Sequence, residues 1–591
     1  MKNHFSAKKS LRGSAALLSA VLIGGMSTSC IDSAFDLDKD FDWTINTGYL
    51  SFPIGKTDTI YMDDIIELDA DDDLQVVVDA GGRGGEYHLI KNGDIEESRT
   101  HVERVNVEGS TTHIDPIIAA NEESVPGPGG VVTTDVNRTG EVKADATDID
   151  EALKELGSLQ AAAPTTLTLR VRLEGDLNFR SIDGDLTIKF PDFLVFSDPQ
   201  VNADNEYFLQ CRDLQLGSEV VRTLHITGYR FGAQAGEGQV VENREIHLNE
   251  DVLITGQTEV TLPEGGVIEA GQELRIVPTV ELANMSIAEA EGVIQPDVDA
   301  SVTTVDISNL PDFLNDDSTH LALTNPVIEF RAHNPLQAPV NLNGFLQGND
   351  EQGNVIKGSQ VRIGQGSADG QPITLQPGDN LIALSRLGEG GSAGAQNIRV
   401  SDLNNLLYTI PDQVQVEIEP EVTYGEYYTV ALGQDYRVSG SYDIDVPLSF
   451  EEGLNIVYTD SADDFNSDLE DLDIAEAEVA FDAVNSIPLD LEIKNENVTP
   501  LDINKQPIPE IKVEVTGSIK ASADGVAHTQ QQMQVRLIET AEGAVSRLDG
   551  LRFRVTAVPG QAVGVTLRSD QWLRLENVRL RVPKGINVDL N

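Results

Sequence analysis

Leu167, Leu169, Val171 and Leu173 alternate with Thr168, Arg170 and Arg172, and this period of two recurs along the 591-residue chain. It returns at Val414-Val416-Ile418, Ile511-Val513-Val515, Leu551-Phe553-Val555 and Val578-Leu580-Val582. Successive side chains of a strand point to opposite faces, so strict alternation marks a strand with one face buried and one wet. Glu417, Arg579 and Arg581 fall on the wet positions. Turn clusters rich in Gly, Asn and Asp separate the runs, as antiparallel sheets packed face to face require. The spacing therefore predicts a mainly all-β chain built of several antiparallel sandwiches.

One or two short helices interrupt this reading. Asp148-Ile149-Asp150-Glu151 opens like a capping box, and Ile149, Ala152, Leu153, Leu156 and Leu159 keep helical spacing. The pattern predicts a helix near 148–160, a strap or crossover between strands. A shorter helix is expected over Ser401 to Leu407.

Two segments echo one another. Ile328–Asn334 parallels Val479–Asn485; upstream, Leu321 and Leu323 parallel Leu472 and Ile474; downstream, Pro339-Val340 parallels Pro488-Leu489. Ser385-Arg386-Leu387 matches Ser546-Arg547-Leu548 at a longer offset, which loop insertions would explain. A competing match pairs Ile287–Glu291 with Ile474–Glu478 at yet another offset, so one of the two is coincidence. The longer match predicts a duplicated sandwich of roughly 150 residues.

The first 29 residues carry Lys2, Lys8, Lys9 and Arg12 and no acid, then the apolar run Ala15–Ile23, then small residues up to Cys30. A basic head, a short apolar centre and small residues before a cut site make a secretory signal. The apolar run is too short to span a bilayer, which needs about 20 such residues. Removing the signal leaves a chain four charges more negative than the formal −57 of the whole. That charge opposes nucleic acid and anionic membrane surfaces as partners, because both need a basic footprint. Aromatics are 5%, with Trp43 and Trp572 the two tryptophans, which is sparse for a sugar-capturing surface.

Ser27-Thr28-Ser29-Cys30 resembles the cut site of a bacterial lipoprotein, although such sites usually carry Leu or another apolar residue where Ser27 stands. The resemblance implies acylation of Cys30, and hence a membrane partner reached through that lipid. Cys211 is then left without an intramolecular partner and reads as a small buried hydrophobe. Asn325-Pro326 through Asn334-Pro335, followed by Pro339–Gly344, resembles late-embryogenesis-abundant-like (water-stress) β-sandwich domains. That resemblance implies an immunoglobulin- or fibronectin-like sandwich without catalysis. The Phe35–Asp40 start, the Val302-to-Leu314 segment and the Val578-to-Asn591 ending are similar to large envelope lipoproteins of the Bacteroidota. That family brings a compartment, the outer membrane, and leaves open the periplasmic or cell-surface face.

The chain offers little reactive chemistry. Gly390-Gly391-Ser392-Ala393-Gly394 fits a hydrolase elbow in letters, but glycines and no helix flank it. The nine histidines show no metal-ligand spacing. The acids at Asp36–Asp42, Asp69–Asp73 and Asp460–Asp464 lack the glycine and terminal glutamate of a calcium loop. No catalytic residue, metal or cofactor is expected. Asp followed by Ser or Thr and a small or aliphatic residue resembles the Bacteroidota O-glycosylation sequon, which nominates Ser33, Thr59, Ser318 and Ser461.

These readings give a signal at 1–29, an acidic tether at 30–45, a β-rich region at 46–285, a water-stress-like sandwich at 286–440 and its duplicate at 441–591. The function expected is that of a non-catalytic, outer-membrane-anchored envelope scaffold or binding module with a protein or glycan partner. Glycan capture and carriage of an apolar ligand remain the alternatives.

Overall fold

The computed structural model describes residues 50–66, 68, 72–78, 85–296, 301–307, 310, 314, 318–423, 425–462 and 474–584. Cys30, Ser33, the signal and the tether lie outside them. The chain is mainly antiparallel β, with two four-residue α-helices among the described residues, Met62–Ile65 and Asn405–Tyr408. The alternation forecast from the sequence is realised: Leu167, Leu169, Val171 and Leu173 are all buried. Each such side chain contributes about 1.5–3 kcal/mol of burial.

Among the described residues six sheets pair into three sandwiches. The first sets a four-stranded sheet (Glu206–Arg212, Ser181–Lys189, Ile246–Thr261, Val131–Ala146) against a ten-stranded one centred on Leu153–Gly175. The second joins a six-stranded sheet around Val327–Asn334 and Gln434–Pro447 to a five-stranded sheet around Val340–Asn349 and Gln413–Val422. The third joins a six-stranded sheet around Glu476–Asn485 and Trp572–Val582 to a four-stranded sheet around Gly550–Val558. The first has its own apolar core, while the second and third share one continuous core.

The chain does not fill these units in linear order, and here the structure differs from the partition read off the sequence. Leu50–Gly55 and Ile60–Tyr61 pair with Trp572–Val582 in the third sandwich. Leu74–Val77 and Glu86–Val102 then extend the second sandwich beside Gln434–Pro447. From Asn106 to Ile294 the chain builds most of the first sandwich; it then returns through the second, adds the strand Tyr428–Ala431 to the first, and ends in the third. The units are nested, so residues 50–102 belong with the later sandwiches and not with a 46–285 region.

The helix expected near 148–160 is a strand, Leu153–Gly175. Its pairing with Met285–Ile294 skips Lys154 and Gly157 at two register shifts. Each bulge adds one residue to an alternation of two, so Leu153, Leu156 and Leu159 face the core at spacings of three. The residues at 148–151 make a turn. Asp148 takes a positive φ of 56°, and the Asp150 carboxylate accepts from the backbone N–H groups of Ala152 and Glu103 at 2.8 and 2.7 Å. Over 401–408 the chain makes turns and then the short helix Asn405–Tyr408.

The duplication is visible as shared hydrogen bonding. Asn334 and Asn485 are both buried at a strand end. Asn334 Nδ2 donates to Ala338 O and Leu375 O at 2.9 and 3.2 Å, and its Oδ1 accepts from Leu336 N at 3.0 Å. Asn485 Nδ2 donates to Leu489 O and Lys520 O at 3.3 and 2.9 Å, and its Oδ1 accepts from Ile487 N at 2.9 Å. The turns that follow also match. The Oδ1 of Asp350 accepts from Gln352 N and Asn354 N, as that of Asp502 does from Asn504 N and Gln506 N. Gly353 and Lys505 hold equivalent positive φ values of 79° and 60°.

The pairing also sorts the competing echoes. Ser385 pairs with Val327, and in the third sandwich Arg536 pairs with Glu478, so Ser385 corresponds to Arg536 and not to Ser546. The Ile287–Glu291 match to Ile474–Glu478 is coincidental in structure. Glu289 and Glu291 are exposed, whereas Glu476 and Glu478 are buried.

Candidate functional site

A wide cleft of about 1020 Å³ lies in the first sandwich. Its floor is the stretch Gly157–Gln160, flanked by Gly228–Arg230 on one side and Glu291 on the other. Arg230 and Glu291 both pair in register with Ser158, which sets the three side chains in one row across three strands. Ser158 Oγ donates to Glu291 Oε2 at 3.0 Å.

Asn205 builds the opposite wall. It is buried, takes a φ of 58°, and its Nδ2 donates to Pro191 O and Leu194 O at 2.8 and 2.9 Å. This fixes the turn that carries Asp192 and Phe193. Asp192 N donates to Glu250 Oε2 at 3.2 Å, and Lys189 Nζ stands 3.4 Å from the Asp192 carboxylate. At the rim, His247 Nδ1 lies 2.8 Å from Asp145 Oδ1 and its Nε2 3.2 Å from Glu245 Oε2. These two hydrogen bonds raise the imidazole pKa above its ordinary value.

A residue from far along the chain completes the cleft's edge. Tyr427, just before the strand Tyr428–Ala431, donates from its hydroxyl to Glu155 Oε1 at 2.5 Å. The same oxygen accepts from Gly236 N and Gly238 N at 2.7 and 2.9 Å. The tyrosine hydrogen bond, opposed by burial and helped by the Gly238 and Gly236 amides, holds the Glu155 carboxyl below its usual range. A Cβ on Gly157 would sit 2.4 Å from the Tyr427 ring, and one on Gly238 would sit 2.2 Å from its hydroxyl. Glycine is required at both positions for the tyrosine to approach.

The cleft wall contains Lys189 and Arg230 as fixed cations, against the carboxylates of Asp192, Asp204, Glu237, Glu250 and Glu291. That balance disfavours an anionic ligand. Phe231 is half-buried at the edge, and Phe193 packs on Tyr229 with ring centroids 6.1 Å apart. The Tyr229 hydroxyl is buried without a hydrogen-bond partner among the described residues. The arrangement presents hydrogen-bonding groups over an apolar base, which is chemistry for holding a polar ligand.

The residues singled out in the sequence do not converge on this cleft. Thr59 is half-buried in the short connection between Leu50–Gly55 and Ile60–Tyr61. Ser318 is half-buried; its Oγ accepts from Arg554 and its carbonyl from Asn455 Nδ2 at 2.7 Å. Ser461 is exposed on the strand Ile456–Ala462. Ser392 donates to Glu329 Oε2 at 3.0 Å from a loop that runs into a strand, Gln396–Arg399, so the serine lies on no strand-to-helix elbow. His333 is an exposed partner of Asp379 at 2.7 Å. Asp73 is buried against Lys91 Nζ at 2.9 Å; Asp69, Asp71, Asp463 and Asp464 lie outside the described residues. Cys211 is buried and unpaired, and burial pushes its thiol up to about 11. Among the described residues no cluster of His, Cys, Asp and Glu could hold a metal, and no helix is long and apolar enough to cross a membrane.

Sequence reasoning missed the cleft. The run Gly228-Tyr229-Arg230-Phe231-Gly232, two aromatics and a cation framed by glycines, is its one local signal. The other walls come together only through pairing.

Fold and cleft together define an all-β protein of three nested sandwiches. No family model matches the chain, and no curated protein matches it. Among solved structures, a candidate secreted protein of Parabacteroides distasonis is similar at 14% identity and a TM-score of 0.35, over 49% of this chain and 82% of that one. A particle of infectious bursal disease virus, Gx strain, is similar at 11% identity and a TM-score of 0.12, over 88% and 82% of the two chains. A triple-jelly-roll protein of an archaeal virus is similar at 9% identity and a TM-score of 0.12, over 82% and 91%. At these scores the likenesses bear on neither kinship nor activity.

Proposed function

We propose that the chain is a lipid-anchored protein of the outer membrane that acts as a non-catalytic binding module or scaffold. The observation that carries this reading is the polar cleft of about 1020 Å³, held open by Asn205 on one side and by Tyr427 on the other. Its volume is that of ligand sites, which run from about 300 to 1,000 Å³. The signal-like start and Cys30 supply the anchor in this reading. Photocrosslinking in intact cells tests it. A photoreactive side chain at Asn249, in the cleft wall, is expected to give a discrete adduct that the same group at the exposed Val125 does not. No adduct at either position contradicts the reading.

Glycan capture is the second reading, favoured by the polar lining and by Phe231 at the cleft edge. Binding on a glycan array that is lost in Phe231→Ala supports it. Carriage of an apolar ligand finds less room, because the apolar voids inside the second sandwich measure about 30 and 60 Å³.

A further inference from the structure

The nesting of the chain orders the molecule relative to its anchor. The first described strand, Leu50–Gly55, lies in the third sandwich, twenty residues after Cys30. Whatever holds Cys30 therefore holds the third sandwich first. The chain then climbs through the second sandwich along a single 17-residue strand, Glu86–Val102. At its base Glu86 bridges to Arg568 of the third sandwich. At its tip Val102 is buried in the core of the first sandwich. A strand rises about 3.4 Å per residue, so base and tip stand roughly 50 Å apart. The antiparallel strand Gln434–Pro447 runs back beside it from Val102 to His88. Among the described residues no strand of the first sandwich pairs with a strand of the third.

We infer that the protein stands on the membrane through its third sandwich, and that the polar cleft of the first is its membrane-distal end, serving a polar ligand that arrives from the aqueous side. The inference rests on the anchored reading above and deepens it. Two further observations support it. Twenty residues reach at most about 70 Å even when fully extended, which bounds how far the start of the third sandwich can stand from the anchor. The formal charge of −57, more negative without the signal, opposes laying the molecule flat on anionic headgroups. A lipid drawn from the bilayer is then the wrong class of ligand, because the cleft is tens of ångströms from the bilayer and lined by charged groups.

Energy transfer to acceptor dyes on lipid headgroups tests this with the full lipidated protein reconstituted in vesicles. Donors are placed at Lys56→Cys, exposed at the end of the first strand of the third sandwich, and at Asn249→Cys, exposed in the cleft wall. The buried Cys211 does not compete for label. Co-sedimentation of the unlabelled protein with the vesicles is measured first. Transfer several-fold stronger from position 56 than from position 249 is expected. Equal transfer from both, in a protein that co-sediments, overturns the orientation and leaves the anchor standing. A protein that fails to co-sediment overturns the anchor, and the orientation with it.

Discussion

Leu50 pairs with Val582, so the first and last described strands of the chain are hydrogen-bonded neighbours at one edge of the third sandwich. Between them the chain runs out through the second sandwich to the first and back before it lays down the other strands of the third. The third sandwich therefore forms only once nearly the whole chain is present. This long-range closure makes its stability depend on the last strand more than on any local run.

Deleting Trp572–Val582 is expected to unfold the third sandwich and spare the first. The strand buries Leu573, Leu575, Val578 and Val582. At about 1.5–3 kcal/mol each, their loss rivals the 5–15 kcal/mol that holds a typical domain. Hydrogen exchange read by mass spectrometry checks it: protection is lost over Glu476–Asn485 and kept over Leu167–Leu173. Unchanged protection over Glu476–Asn485 contradicts the closure.

Asn334→Ala and Asn485→Ala are each expected to cost about 3 kcal/mol, because each leaves several buried backbone groups without partners. The two residues sit in different sandwiches, so their effects should add to within about 0.5 kcal/mol. Chemical denaturation of the single and double variants measures this. A negligible loss in either single variant speaks against the shared motif as a structural determinant.

Acidity acts on the second sandwich through His88. The hydrogen bond that His88 donates to Asp445 raises its pKa, partial burial opposes this, and Glu86 adds to the rise. A folded pKa above the unfolded value near 6.5 means the stabilisation is fully present below that value. It is lost as pH rises through the folded value. His88→Gln should therefore lower the melting temperature more at pH about 5.5 than at pH about 9. An equal drop at both pH values removes the charge from the explanation.

Tyr427→Phe removes the hydroxyl that donates to Glu155 and is expected to cost about 1–2 kcal/mol. Gly157→Ala forces the ring away and should cost about 1–3 kcal/mol by overpacking. Both should raise exchange in the Gly232–Gly238 segment at the cleft edge. Exchange there that matches the parent protein separates the tyrosine from the cleft.

The fold was legible where burial alternates. Leu167–Leu173 and Leu551–Val555 face the core as their letters suggest. It was misread where bulges at Lys154 and Gly157 stretch a strand's spacing to that of a helix. The Asn334 and Asn485 echo survived in the sequence because a buried amide must satisfy the same carbonyls in both copies. The nesting was not legible, since nothing in Leu50–Gly55 names Val578–Val582 as its partner. The cleft was hidden for the same reason. Tyr427 and Glu155 are 272 positions apart, and only the returning hairpin brings them together.

The anchor is tested most directly by the intact mass of the protein's N-terminal peptide, purified from the membrane fraction of cells expressing the full chain. The account expects a peptide that begins at Cys30 and carries acyl chains, with Cys30→Ala left unprocessed or released in soluble form. A mature chain cut elsewhere, or a Cys30 with a free thiol, contradicts it.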